Sequence, residues 1–122
     1  MAGIMHFSAF FQYMESAEHE LLRSLGMSVL TQFEGEPISF PRVSASCDFA
    51  SPAHCEDVLQ ISVAVQRVGE KSVTYSFRFS HLGRLVANGE MTSVCCRVVP
   101  GETPQSRPIP NEIAEKLRSY RA

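Results

Sequence analysis

The period of apolar residues changes once along this chain, and that change limits what it can fold into. From Ser8 to Leu25 the apolar positions Phe10, Met14, Ala17, Leu21 and Leu25 recur every three or four residues, which defines one face of an α-helix. Gln12, Ser16, His19, Glu20 and Arg23 fall mostly off that face. Ser8 is placed to cap the helix, and Gly26 stands where a left-handed residue ends one. Beyond a loop near Glu34 to Pro37 the period becomes two. Val43, Ala45, Cys47 and Phe49 alternate with Arg42, Ser44, Ser46 and Asp48; Leu59, Ile61, Val63 and Val65 alternate with Gln60, Ser62, Ala64 and Gln66. Val73, Tyr75, Phe77 and Phe79 alternate with Ser72, Thr74, Ser76, Arg78 and Ser80. Each run predicts a strand with one apolar face.

Gly69-Glu70-Lys71 and His81-Leu82-Gly83-Arg84 read as turns. A fourth strand, from about Val86 to Val99, has a less regular pattern, as expected of a strand covered on both faces. Pro100, Gly101 and Pro104 begin a loop, and Pro110-Asn111-Glu112 starts a short helix through Ile113 and Leu117. One long helix followed by antiparallel strands implies an α+β domain over residues 1–122, with the sheet packed on the helix. The aromatic cluster Phe7, Phe10, Phe11 and Tyr13 gives the helix more apolar surface than one small sheet covers, which favours an oligomer.

Composition removes several classes of function. At 122 residues the chain can bury a core, and 44% hydrophobic against 20% charged residues excludes disorder. A net charge of −2 offers no general attraction to nucleic acid or an anionic membrane, so a polyanionic ligand would need a local basic patch. No apolar run approaches the ~20 residues of a membrane-spanning helix, and MAGIMHF lacks the pattern of a signal peptide. Cys47, Cys55, Cys95 and Cys96 include no CxxC pair, and no Cys/His spacing suits zinc, so neither metal nor cofactor is expected. The cysteines read as small apolar residues in a reducing cytosol, with the adjacent Cys95 and Cys96 on opposite faces of a strand.

The opening segment MAGIMHFSAFFQYMESAEHELLRSLG resembles the start of the 4-hydroxybenzoyl-CoA thioesterase family, which includes the acyl-CoA thioesterases associated with the Tol–Pal system. Gly3, Ile4, Met5, His6, Phe7, Glu15 and Gly26 fit the family pattern in order. The segment FPRVSASCDFASPAHCEDVLQISVAVQRVGEKSVTYSF resembles the family's second and third strands, with Pro52 and Asp57 in matching places. The resemblance implies a hot-dog fold, in which an antiparallel sheet wraps a long central helix. It implies hydrolysis of an acyl-CoA thioester by a homodimer or homotetramer. It also implies a first strand ending in a catalytic Asp, which would fall immediately before Met1, so an upstream continuation is expected. Without that Asp a second activity stays open: binding of acyl-CoA or acyl carrier protein with poor hydrolysis. A hot-dog dehydratase fits less well, because the spacing from His6 to Glu15 does not supply its paired groups.

The resemblance also marks candidate site residues. The backbone N–H of Phe7, at the positive end of the helix, would face the thioester oxygen; its side chain alone would serve as a hydrophobic staple. Glu15 falls at the edge of the apolar arc, either at the rim of an acyl pocket orienting water or simply solvated. His6 is either a general base or a structural histidine at the turn into the helix; some relatives carry a His where Phe7 stands. Arg67, Lys71 and Ser72 lie at the turn where relatives contact CoA, and cations there can pair with its phosphates. Alternatively they form an ordinary solvated turn. Asp57 also reads as a cap at a strand start. Glu18 lies inside the apolar arc and is expected to reach out past its edge; His19, His54 and His81 have no partner pattern and are expected at the surface. The sequence gives no account of Asp48.

Overall fold

The computed structural model describes residues 7–28, 30–54 and 56–120. Helix α1 spans Ser8–Ser24 and turns Phe10, Met14, Glu18, Leu21 and Leu22 into the core. Phe7, not Ser8, takes the cap position: its backbone is already helical (φ −59°, ψ −30°), which puts Ser8 inside the first turn. Gly26 ends the helix as expected, with φ +77°.

Strands β3 (Arg42–Phe49), β4 (Gln60–Val68), β5 (Ser72–His81) and β6 (Arg84–Val94) form the main antiparallel sheet, in the order β3-β6-β5-β4. The two expected turns are where the sequence places them. Leu82 and Gly83 both adopt left-handed φ, +51° and +80°, the backbone a tight two-residue hairpin requires. Strand β5 lies in the middle of the sheet and alternates as predicted: Val73, Tyr75, Phe77 and Phe79 are all buried. Rings of Phe10 and Phe79 meet edge to face, with centroids 5.1 Å apart. The helix lies close on β6, where a Cβ added at Gly89 would stand 2.8 Å from Met14 Sδ.

A second sheet escapes the sequence pattern. Strands β1 (Leu30–Phe33) and β2 (Glu36–Ser39) form a hairpin where only a loop was expected near Glu34 to Pro37. They continue through β7 (Cys96–Arg97) and β8 (Gln105–Ser106) in the order β1-β2-β7-β8. The expected single strand from Val86 to Val99 is therefore two. The chain leaves the main sheet after Val94, turns at Cys95 and enters the second sheet at Cys96. Both cysteines are buried because they sit at this crossing, and burial pushes the Cys95 thiol up to about 11. Helix α2 (Asn111–Arg118) closes the core with Ile113, Ala114 and Leu117, and the Tyr120 carbonyl beyond it accepts a hydrogen bond from the Val65 N–H.

Candidate active site

The N-terminal end of α1 opens onto an apolar cavity of about 410 Å3. Phe7 and Phe10 of the helix line one side; Phe49 and the segment Ala50 to Ala53 line the other. Phe10 and Phe49 meet edge to face, centroids 4.9 Å apart, so the walls of the cavity are aromatic. The cavity faces the positive end of the helix dipole, where a carbonyl oxygen gaining negative charge is stabilised. A second cavity, of about 400 Å3, lies between the opposite flank of α1 and β4, with Tyr13, Glu20, Ile61 and Val63 among its walls.

One turn beyond Phe11, on the flank of α1 toward β3, a charged cluster is built around Arg42. The guanidinium bonds the carboxylate of Glu18, which is fully buried. Ser93 Oγ donates to the other Glu18 oxygen at 3.1 Å. Arg42 Nη2 lies 3.0 Å from His19 Nε2, and Nη1 lies 3.7 Å from a Glu15 oxygen. Burial pushes the Glu18 carboxyl above its ordinary range, and Arg42 and Ser93 pull it part of the way back. Tyr75, buried beside this pair, has its phenol pushed up for the same reason.

This cluster corrects three expectations. Glu18 does not reach out past the edge of the helix but points into the core. His19 is partly buried against Arg42, not at the surface. Arg42 does not share the polar face of β3. Arg42 pairs with Ser93 and Ser44 with Thr92, so two steps on β3 match one on β6. This bulge at Val43 reverses the alternation and aims Arg42 toward the helix. A signal was present in the sequence: an acid inside an apolar arc requires a buried cationic or hydrogen-bonding partner.

The structure does not gather the sequence candidates into one place. Phe7 borders the cavity, while Glu15 lies eight residues along the helix, about 12 Å at 1.5 Å per residue. Arg67, Lys71 and Ser72 occupy the far end of the β4–β5 hairpin. Seven residues separate Ser72 from Phe79, roughly 23 Å of strand, so within one chain the hairpin stands away from the cavity. Arg67 and Lys71 are exposed there. His6 lies outside the described residues. His54 and His81 do have a partner: their ring nitrogens lie 3.7 Å and 3.6 Å from the Asp57 carboxylate. Asp57 itself closes a turn, accepting the His54 N–H at 2.9 Å, rather than capping a strand start; this bond holds its carboxyl below the usual value. Among the described residues no group of His, Cys, Asp and Glu could hold a metal ion, and no helix is long and apolar enough to cross a membrane.

A long helix across an antiparallel sheet, with an apolar pocket at its positive end, defines the hot-dog fold of thioester hydrolases. The chain belongs to the thioesterase-like superfamily, whose family model matches residues 1–117. It is 25% identical over 120 residues to a 1,4-dihydroxy-2-naphthoyl-CoA hydrolase of Nostoc punctiforme, covering 98% of this chain and 79% of that one. The solved 1,4-dihydroxy-2-naphthoyl-CoA thioesterase from Synechocystis superposes with a TM-score of 0.79 at 23% identity, over 96% of this chain and 85% of the other. A gentisyl-coenzyme A thioesterase superposes with a TM-score of 0.75 at 25% identity, covering 96% and 89%.

Proposed function

We propose that this chain, as one domain, hydrolyses the CoA thioester of an aromatic acid. Hydrolysis of an acyl-CoA thioester follows from the superfamily and fold; the aromatic acyl group is the finer step, supported above all by the cavity between Phe7, Phe10 and Phe49. A planar ring packs well against the joined face of Phe10 and Phe49, with Phe7 beside it. The relatives' names, 1,4-dihydroxy-2-naphthoyl-CoA hydrolase and gentisyl-CoA thioesterase, also describe aromatic acyl groups. The resemblance to 4-hydroxybenzoyl-CoA thioesterases points to the same chemical class, while nothing in the fold favours the Tol–Pal branch.

In this mechanism the thioester carbonyl points at the start of α1, where the Phe7 N–H and the helix dipole stabilise the oxyanion. Glu15 of a second copy of the chain takes a proton from water, because within one chain it lies about 12 Å along the helix from Phe7, and His6 is a second candidate base. Water adds to the carbonyl carbon, the C–S bond breaks to release the free acid, and the CoA thiolate leaves with the proton that the base took from water. Arg67, Lys71 and Ser72 bind the CoA phosphates, from a second copy of the chain because the hairpin is too distant within one. That copy sits along β3, the edge of the main sheet among the described residues, with Val43 62% and Phe49 49% exposed, giving a homodimer or a pair of dimers. The free thiols Cys47, Cys95 and Cys96 suit a reducing cytosol.

The test is hydrolysis of benzoyl-CoA, 4-hydroxybenzoyl-CoA, acetyl-CoA and palmitoyl-CoA, following loss of the thioester absorbance. The aromatic pair should have the highest kcat/KM, and Glu15→Gln should lower kcat on the order of 100-fold. Equal rates across the panel would remove the aromatic assignment; an unchanged kcat in Glu15→Gln would remove the role of Glu15.

A further inference from the structure

We propose that Arg42 is a positioning residue for the Glu15 carboxylate and that buried Glu18 is its anchor; this rests on the role given to Glu15 above. Glu15 sits on an exposed flank, its side chain 54% accessible, and a solvated glutamate samples many rotamers. A base that must meet one water needs to be held. Arg42 is suited to do so because it is itself fixed: the bulge at Val43 sets its direction, and Glu18 and Ser93 hold its far side. The planar guanidinium then presents Nη1 toward Glu15 from a defined direction.

The pairing geometry supports this assignment. Nη2 of the guanidinium is taken by buried Glu18, which leaves Nη1 on the side of Glu15. Stability alone gives a poor account of the cluster. The Arg42 Nε and the Tyr75 hydroxyl are buried without a hydrogen-bond partner among the described residues. A buried ion pair with such unsatisfied neighbours is commonly no more stable than an apolar replacement of similar volume. Retaining it on the flank that carries Glu15, at the first residue of the open strand β3, is explained by geometry at that flank.

The experiment measures kcat and KM on 4-hydroxybenzoyl-CoA, with melting temperatures, for the full chain and for Glu15→Gln, Glu18→Gln, Arg42→Ala and Arg42→Lys. Arg42→Ala and Glu18→Gln are each expected to lower kcat on the order of 10- to 100-fold with little change in KM, as for a misplaced catalytic group. Arg42→Lys keeps the charge but not the fork, so it should lose kcat as well. If Glu18→Gln does not fold, Arg42→Lys carries the same test. In a Glu15→Gln background, Arg42→Ala should add less than about a twofold further loss, because both changes remove one interaction. Losses that multiply in the double variant would overturn the proposal while leaving Glu15 its role. So would a lowered melting temperature in the Arg42 variants with kcat unchanged. A Glu15→Gln enzyme with undiminished kcat would overturn the role of Glu15, and the positioning of it with that role.

Discussion

Strands β5 and β3 carry nearly the same pattern of alternating apolar residues and end in opposite situations. On β5, Val73, Tyr75 and Phe79 have no accessible surface and Phe77 has 2%; on β3, Val43 and Phe49 remain 62% and 49% exposed. Alternation specifies which side of a strand is apolar, and position in the sheet decides whether that side is covered; at Val43 the bulge adds to the exposure by turning the residue off that side. A central strand is covered by its own chain. An edge strand with the same pattern leaves apolar surface and unpaired backbone groups that only another element can cover.

The largest expected effect tests the covered strand. Phe79→Ala removes a buried ring packed on Phe10 and should cost about 3–5 kcal/mol in urea unfolding, enough to unfold much of the population. A loss near that of an exposed site would mean β5 is less enclosed than its burial indicates. Next comes the uncovered strand. If a second copy lies on β3, Val43→Lys places like charges near each other across the junction and should weaken self-association on the order of 100-fold in sedimentation. An unchanged oligomeric state would leave β3 a bare edge.

A smaller effect sharpens the comparison at Arg42, the one residue the bulge turns inward from β3. Because burial raises the Glu18 carboxyl, the folded chain keeps a proton that the unfolded chain has released once the pH exceeds 4.5. Stability should therefore fall as pH climbs from 4.5 to the raised folded value. Glu18→Gln should flatten that slope, and an identical slope in the variant would reject buried Glu18 as its source. The smallest effect concerns the connections that follow the two strands. Asp57, in the loop after β3, lies against His81 at the end of β5, and its carboxyl is held low. The stability it contributes is present above its unfolded value of 3.8 and lost as pH falls through the lower folded one. Asp57→Asn should remove only that acid limb, read by thermal melting below pH 4.

Helix α1 and strand β5 were legible in the sequence because a single periodicity governs each and burial follows it. The hairpin of β1 and β2 was not, since four-residue strands repeat too briefly to establish a period. Its signal lay in Glu34-Gly35, both with positive φ, at the turn between two short runs. The long fourth strand read as one element because the chain changes sheets at Cys95 without a glycine or proline to mark the break. The place of Phe7 at the helix start followed from the resemblance; the cavity beside its side chain did not. The Arg42–Glu18 pair did not, because a one-residue bulge inverts the alternation that assigned Arg42 to solvent. The aromatic lining contributed by Phe49 depends on how β3 meets α1, which no local pattern encodes.

The contact between Gly89 and Met14 makes α1 a lever with its fulcrum on β6. Met14 is fully buried, so a methyl group at position 89 forces it from its rotamer or makes the helix ride up. Phe10 stands one turn away on the same rigid rod, and any lift at the fulcrum tilts or parts the edge-to-face contact of Phe10 with Phe49. The shape of the cavity at the helix start is thus set partly by a residue that is not among its walls. A change at Gly89 reshapes that space while every wall residue stays the same.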